Sequence, residues 1–172
     1  MPVRVKPIKL WRAEVDHQPG TLAQTLEPLA AAGADLQAVM GYRLPGGRGC
    51  AAIEVFPVIG VKALSAAQAT GLSEAHISAL HVEGDNRAGL GHAIAKALAG
   101  AGINIDFFLA LVSGNRHATV IGFESREDAD RAIPLIKGAA AAPRRRAGRK
   151  AANKGARGAT KRGARQTARR RR

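Results

Sequence analysis

Residues 10–15 (LWRAEV) alternate apolar and polar side chains, the period-two pattern of a half-buried strand. A polar turn ending in Gly20 follows. From 21 to 32 the period changes, and Leu22, Leu26 and Leu29 fall on one face at helical spacing. Gly33 stands where a helix stop is expected. The pattern then predicts strands over 36–43 and 50–56, joined by the Pro- and Gly-rich turn 44–49 (LPGGRG), and a second helix over 61–69. The same succession returns further on. A strand over 77–83 leads through a turn to a helix over 90–101, with Ile94 and Leu98 on one face and Gly102 after it. Strands over 105–112 and 117–123 flank the turn 113–116 (SGNR). A last helix over 127–136 opens behind Ser125, a suitable N-cap, with acidic residues in its first turn.

The recurrence is also visible in the residues themselves. A shift of 69 positions pairs Glu14 with Glu83, Asp16 with Asp85, Gly20 with Gly89, Leu29 with Leu98 and Gly33 with Gly102. The element order β-α-β-β-α, twice over, predicts an α+β protein of two ferredoxin-like (split βαβ) repeats, antiparallel sheets with helices on one face. The expected division is 1–72 for the first domain, 73–137 for the second and 138–172 for a tail. No final strand for either copy stands out, and residues 76–83 read as one continuous strand serving both.

Charge separates the tail from the rest. Of the 27 basic residues, 13 lie within 1–137 beside all 13 acidic ones, and the other 14 lie beyond Lys137 without an acidic neighbour. The basic residues of the tail are Arg144, Arg145, Arg146, Arg149, Lys150, Lys154, Arg157, Lys161, Arg162, Arg165, Arg169, Arg170, Arg171 and Arg172, spaced by Ala, Gly and Thr. Such a segment has too little apolar surface to offset its ordering entropy, so it is expected to be disordered. Its spacing resembles the tails of linker histones and bacterial histone-like proteins. A polycation of this kind binds DNA or RNA by neutralising phosphates, with little sequence preference. Without aromatic residues for base stacking, single-strand specificity is not expected. A solubilising tail, or one that contacts an acidic protein or membrane, is the other reading.

Hydrophobic residues make up 46% of the chain but aromatics only 3%, so the core must be built from Ala, Leu, Ile and Val. Cys50 is the one cysteine, which excludes an intrachain disulfide and a cysteine-based zinc site. With no signal peptide or membrane span in the N-terminal residues, a cytoplasmic protein is expected. His76, His81, His92 and His117 are scattered. Gly46, Gly47, Arg48 and Gly49 form no phosphate loop, since no Lys-Ser/Thr or helix follows. No nucleophile joins a base, so no catalytic residue, metal or cofactor is expected.

The turn VDHQPGTL (15–22), the helix after it and the exit AGADL resemble the ACT domain, and GDNRAGL followed by GAGINI resembles it more closely. ACT domains are small regulatory modules, many of which bind amino acids. The resemblance covers about 9–137, and the doubled arrangement is similar to tandem ACT proteins. It implies a ligand site formed by Asn86, Gly89, Asn104 and Ile105 in the second copy and by His17, Gly20 and Asp35 in the first. The first copy departs from the pattern in having His17 and Asp35 at the asparagine places, and the second has Ala88 where proline is usual. An asparagine amide offers donor and acceptor together, which suits a zwitterion. A glycine at a helix N-terminus admits a carboxylate to backbone N–H groups. Asn86 and Asn104 are expected to reach one crevice, making the second copy the stronger site, with Asp35 repelling a carboxylate from the first.

These observations imply an amino-acid-binding regulatory protein with a nucleic-acid-binding tail. Two alternatives stay open: a nucleoid-associated or RNA-binding protein whose core only oligomerises, and a regulatory subunit of an enzyme of amino-acid metabolism. The free sheet edges of such domains invite a homodimer.

Overall fold

In a computed structural model of the chain, residues 3–46 and 49–141 are described. The elements in chain order are β1 (Arg4–Ile8), β2 (Trp11–Asp16), α1 (Thr21–Ala31), β3 (Ala38–Arg43), β4 (Cys50–Phe56), α2 (Val61–Ala69) and β5 (Ser73–Glu74). They continue with β6 (Ser78–Asp85), α3 (Leu90–Gly100), β7 (Phe107–Ser113), β8 (Arg116–Phe123) and α4 (Arg126–Ala141). Two antiparallel four-stranded sheets result, ordered β3-β4-β2-β5 and β1-β6-β8-β7. The expected α+β class with two ferredoxin-like repeats is what the structure has.

The fourth strands come from places the residue pattern did not suggest. β1, which precedes the first repeat, pairs antiparallel with β6 of the second, Val5 opposite Val82. β5 pairs with β2 of the first repeat through Trp11 and Glu74. The expected strand over 76–83 does not serve both copies: β6, from Ser78, belongs to the second sheet alone, and the first sheet is completed by β5, which lies ahead of that span at Ser73–Glu74. β1 carries one buried side chain, Val5, and contains Pro7, which an edge strand tolerates because it pairs on one side only. The helix expected to stop at 136 runs on to Ala141. Ala139 and Ala140 pack against the second core, and the Arg87 guanidinium donates to the Ala139 carbonyl near the helix's C-terminal end. The 138–172 tail begins inside that helix, and residues 142–172 lie outside the described residues.

Each sheet buries one face under its own helices. In the first half Trp11, Ala13, Ile53 and Val55 meet Leu29, Ala67 and Leu72. In the second, Leu80, Val82, Ile121 and Phe123 meet Ile94, Leu98 and Ile136. Both first helices end alike: Gly33 and Gly102 have φ of 74° and 69°. Ala34 and Ile103 donate their N–H to the carbonyls of Leu29 and Leu98, each at 3.0 Å, which is the Schellman closure that favours glycine.

A third apolar cluster joins the helix-free faces of the two sheets. Leu10, Ala79 and Val120 form its buried centre, flanked by Ala38, Met40, Phe56 and Phe107. The Phe56 and His81 rings meet across it, with centroids 6.0 Å apart. The rungs on either side have exchanged sizes. Ala38 of β3 lies opposite Phe56 of β4, whereas Phe107 of β7 lies opposite Gly122 of β8. Each sheet thus offers one phenyl ring and one small residue to the shared layer. β3 and β7 are left as sheet edges, and both carry exposed apolar side chains, among them Val39, Phe108, Leu111 and Val112. No helix among the described residues is long and apolar enough to cross a membrane.

Candidate functional site

The strand-to-helix turns of the two copies are built alike. Gly20 and Gly89 are the N-caps of α1 and α3, with φ of 93° and 80°. A Cβ at either would meet nothing within 4 Å, so glycine is required there by backbone conformation, not by crowding. Each turn is tied to the tip of its hairpin: His17 N–H donates to the Gly49 carbonyl at 2.6 Å, and Asn86 N–H to the Asn115 carbonyl at 2.7 Å. Neither helix has an acidic residue in its first turn, which leaves the positive end of the helix dipole unanswered.

What surrounds the turns differs. Beside the first lies a groove of about 270 Å³ lined by Asp16, His17, Gln18 and Thr21 from the turn and by Tyr42 and Arg43 from β3. Its apolar side includes Leu22, whose methyl groups approach Gly41 closely enough that a Cβ there would sit 3.8 Å away. An aspartate and an arginine lining one groove, at a helix N-terminus, suit a ligand carrying both an ammonium and a carboxylate. In the second copy the Phe108 ring lies against the first turn of α3, 3.8 Å from where a Cβ on Gly91 would sit. Arg87, one residue beyond Asn86, is directed to α4.

The expected pairing of Asn86 with Asn104 is not formed. Asn86 precedes the N-terminus of α3, and the exposed Asn104 follows its C-terminus. Eleven residues of helix separate them, about 16 Å at ~1.5 Å per residue. Antiparallel pairing of β6 and β7 with the same β8 also places the end of one strand and the start of the other at opposite ends of the sheet. Asp35 is removed from the first turn in the same way, behind the C-terminus of α1, so it is not among the groove's lining residues. Ile105 is half-buried against the second core. His17 alone among the expected polar ligand residues lines the groove, next to Gly20. Asp16, Gln18, Thr21, Tyr42 and Arg43 were missed. The repeat did mark Asp16, through its match to Asp85, and Arg43 was legible as the last charge of its strand.

Behind the groove, β2, β3 and β4 carry a polar network on their helix-free face. Glu54, on the central strand, has no exposed surface. Its Oε1 accepts from Tyr42 Oη at 2.9 Å and from the Arg12 guanidinium at 3.3 Å, while Arg12 also donates to Glu14 at 2.9 Å. Burial, and then the hydrogen bond and charge of Glu54, push the Tyr42 hydroxyl up to about 12. A folded-state value above the unfolded one near 10 means that the associated stability is complete below about pH 10 and is lost as pH rises towards 12. Tyr42 is the single tyrosine, so phenolate absorbance follows it alone. The expected titration midpoint is about 12 in the folded chain, and a midpoint near 10 would mean that the Glu54 contact is absent in solution. Among the described residues no group of three His, Cys, Asp or Glu side chains could hold a metal ion.

No family profile matches the chain, and no curated protein matches its sequence. Solved structures do match its fold. A protein from Bacteroides thetaiotaomicron superposes with a TM-score of 0.63 at 17% identity, over 78% of this chain and 89% of that one. The ligand-free regulatory subunit of aspartate kinase from Thermus thermophilus gives 0.55 at 19% identity, over 80% and 95%. The corresponding subunit from Thermus flavus gives 0.52 at 20% identity, over 81% and 97%. The chain thus shares the fold of the aspartate kinase regulatory subunits.

Proposed function

We propose that this chain is a non-catalytic, cytoplasmic regulatory protein that binds an amino acid at the turn of its first repeat. The observation that carries this reading is the groove itself. Asp16 and Arg43 line it with His17 beside an α1 N-terminus opened by a left-handed glycine. Arg43 and the helix N–H groups receive the carboxylate, Asp16 receives the ammonium, and Leu22 bounds the side chain. Calorimetry against the common amino acids tests it. A ligand found this way should bind roughly tenfold or more weakly to Arg43→Ala, because a charge-assisted hydrogen bond is worth roughly 1.5–3 kcal/mol. Asn104→Ala should leave binding unchanged. If Arg43→Ala binds as well as the original chain while Asn86→Ala loses affinity, the site belongs to the second copy.

The finer reading concerns the tail, for which the sequence supplies the support: 14 positive charges joined to a formally neutral remainder. It binds nucleic acid electrostatically, so the full chain should retard duplex DNA at low salt and release it steeply as salt rises, with little dependence on sequence. Equal retardation by a chain ending at residue 141 would remove the tail from the interaction. A second reading, a regulatory subunit acting on an enzyme of amino-acid metabolism, is favoured by the near-complete coverage of the two Thermus subunits. A homodimer formed through the β3 and β7 edges suits either role.

A further inference from the structure

We propose that the open cleft between the two sheets is a second ligand site, for a small organic ammonium with an apolar body. The cleft measures about 700 Å³, within the usual range for small-molecule pockets, and it shares only Gly41 and Tyr42 with the turn groove. Met40 from the first sheet, and Ile77, Phe107, Leu109 and Leu111 from the second half, supply its apolar lining. Its polar groups are Arg12, the Tyr42 hydroxyl and Asp106.

Charge selects the ligand class. Arg12 is already engaged by two carboxylates, Glu14 and Glu54, so it has little left for an incoming anion. Asp106 is the one carboxylate among the cleft's lining residues. Glu54 supplies the independent sign of an unmet demand. It is fully buried on the helix-free face, its Oε1 is held by the cleft residues Arg12 and Tyr42, and its Oε2 has no partner among the described residues. A buried carboxylate short of donors is costly, and from behind Arg12 and Tyr42 its charge favours a cation in the cleft. The aromatic ring of Phe107 suits a cationic head or an aryl body equally.

Thermal denaturation of the full chain with phenethylammonium, 2-phenylethanol and 3-phenylpropionate separates the contributions, since a ligand of the folded state raises Tm in proportion to its occupancy. The ammonium should raise Tm progressively at millimolar concentration, the alcohol much less and the carboxylate least. Asp106→Asn, an exposed substitution that the fold tolerates, should weaken the ammonium roughly three- to tenfold. Glu54→Gln, which removes a charge behind the cleft wall, should weaken it roughly three- to tenfold, with the variant's own unfolding remaining cooperative. His17→Ala lies outside the cleft and should leave ammonium binding unchanged. An absence of any shift, equal shifts from ammonium and alcohol, or ammonium binding unaltered by Asp106→Asn but lost in His17→Ala would overturn the site. The last of these would move the amine to the turn groove, whereas loss of amino-acid binding alone would leave the cleft standing.

Discussion

Arg12→Ala is expected to be among the most destabilising single substitutions in the first half of the molecule, at roughly 3–5 kcal/mol, because it removes the one cation bonded to a fully buried carboxylate. Glu54 sits at the centre of the rung Arg12–Glu54–Met40, on the middle strand of its sheet and without exposed surface. With Arg12 gone, the Tyr42 hydroxyl remains as its hydrogen-bond donor, and a single neutral donor does not balance a desolvated charge. The desolvated carboxylate is then left without its counter-charge. The exposed partner Glu14 matters far less: Glu14→Ala should cost no more than ~1 kcal/mol, as surface pairs do. Glu54→Met combined with Arg12→Met should recover most of the loss, since an apolar pair of similar volume demands no desolvation. The buried Trp11 reports on this half, so urea unfolding followed by tryptophan fluorescence measures all three variants. A loss below about 1 kcal/mol for Arg12→Ala would show that water solvates Glu54 in solution.

Gly122→Ala is expected to destabilise the second half and the seam between the sheets by roughly 1–3 kcal/mol. The Phe107 ring lies directly over the Gly122 Cα, so an added methyl group would occupy the same space as the ring's Cε1 and Cδ1 atoms. Ile77 crowds the position further, with its Cγ2 3.1 Å from where the methyl would stand. Phe107 is opposite Gly122 in the β7–β8 ladder and belongs to the layer between the sheets, so it cannot retreat without opening that layer. Phe107→Leu should partly rescue Gly122→Ala, and coupling between the two changes, read from a double-mutant cycle, is the diagnostic. Additive effects would mean that the ring does not rest on Gly122. Gly138→Ala makes a suitable control, since a Cβ there meets nothing and a helical alanine is favoured.

Much of the candidate site was legible in the sequence, though not its composition. The repeat located both turns and both helix N-termini. Gly20 and Gly89, expected for ligand access, are left-handed N-caps, a backbone reason of their own. The misplaced pair was Asn86 with Asn104, together with its counterpart His17 with Asp35. Neighbours across a short helix in sequence are at opposite ends of it in space, and spacing along the chain does not show this until the helix has a length and a direction. Arg43 enters the groove because the hairpin returns the end of β3 to the level of the first turn, which the His17–Gly49 bond secures.

The sequence by itself determined the local elements and their doubling. Alternation set the strands, leucine spacing set the helices, and glycines at 33 and 102 ended them, because each of these preferences acts within a few residues. What only the tertiary structure decided is which strands share a sheet and what lies between the sheets. β1 has one buried side chain and a proline, too weak a pattern to announce itself, yet it becomes a strand because β6 offers it an unpaired edge. Glu54 is a charged residue within the strand over 50–56, and nothing in that strand's own residues announces that it is fully buried. The exchanged Phe56 and Phe107 acquire their meaning only when the two helix-free faces meet. Such features depend on close packing between residues far apart in sequence, and no period along the chain encodes that contact.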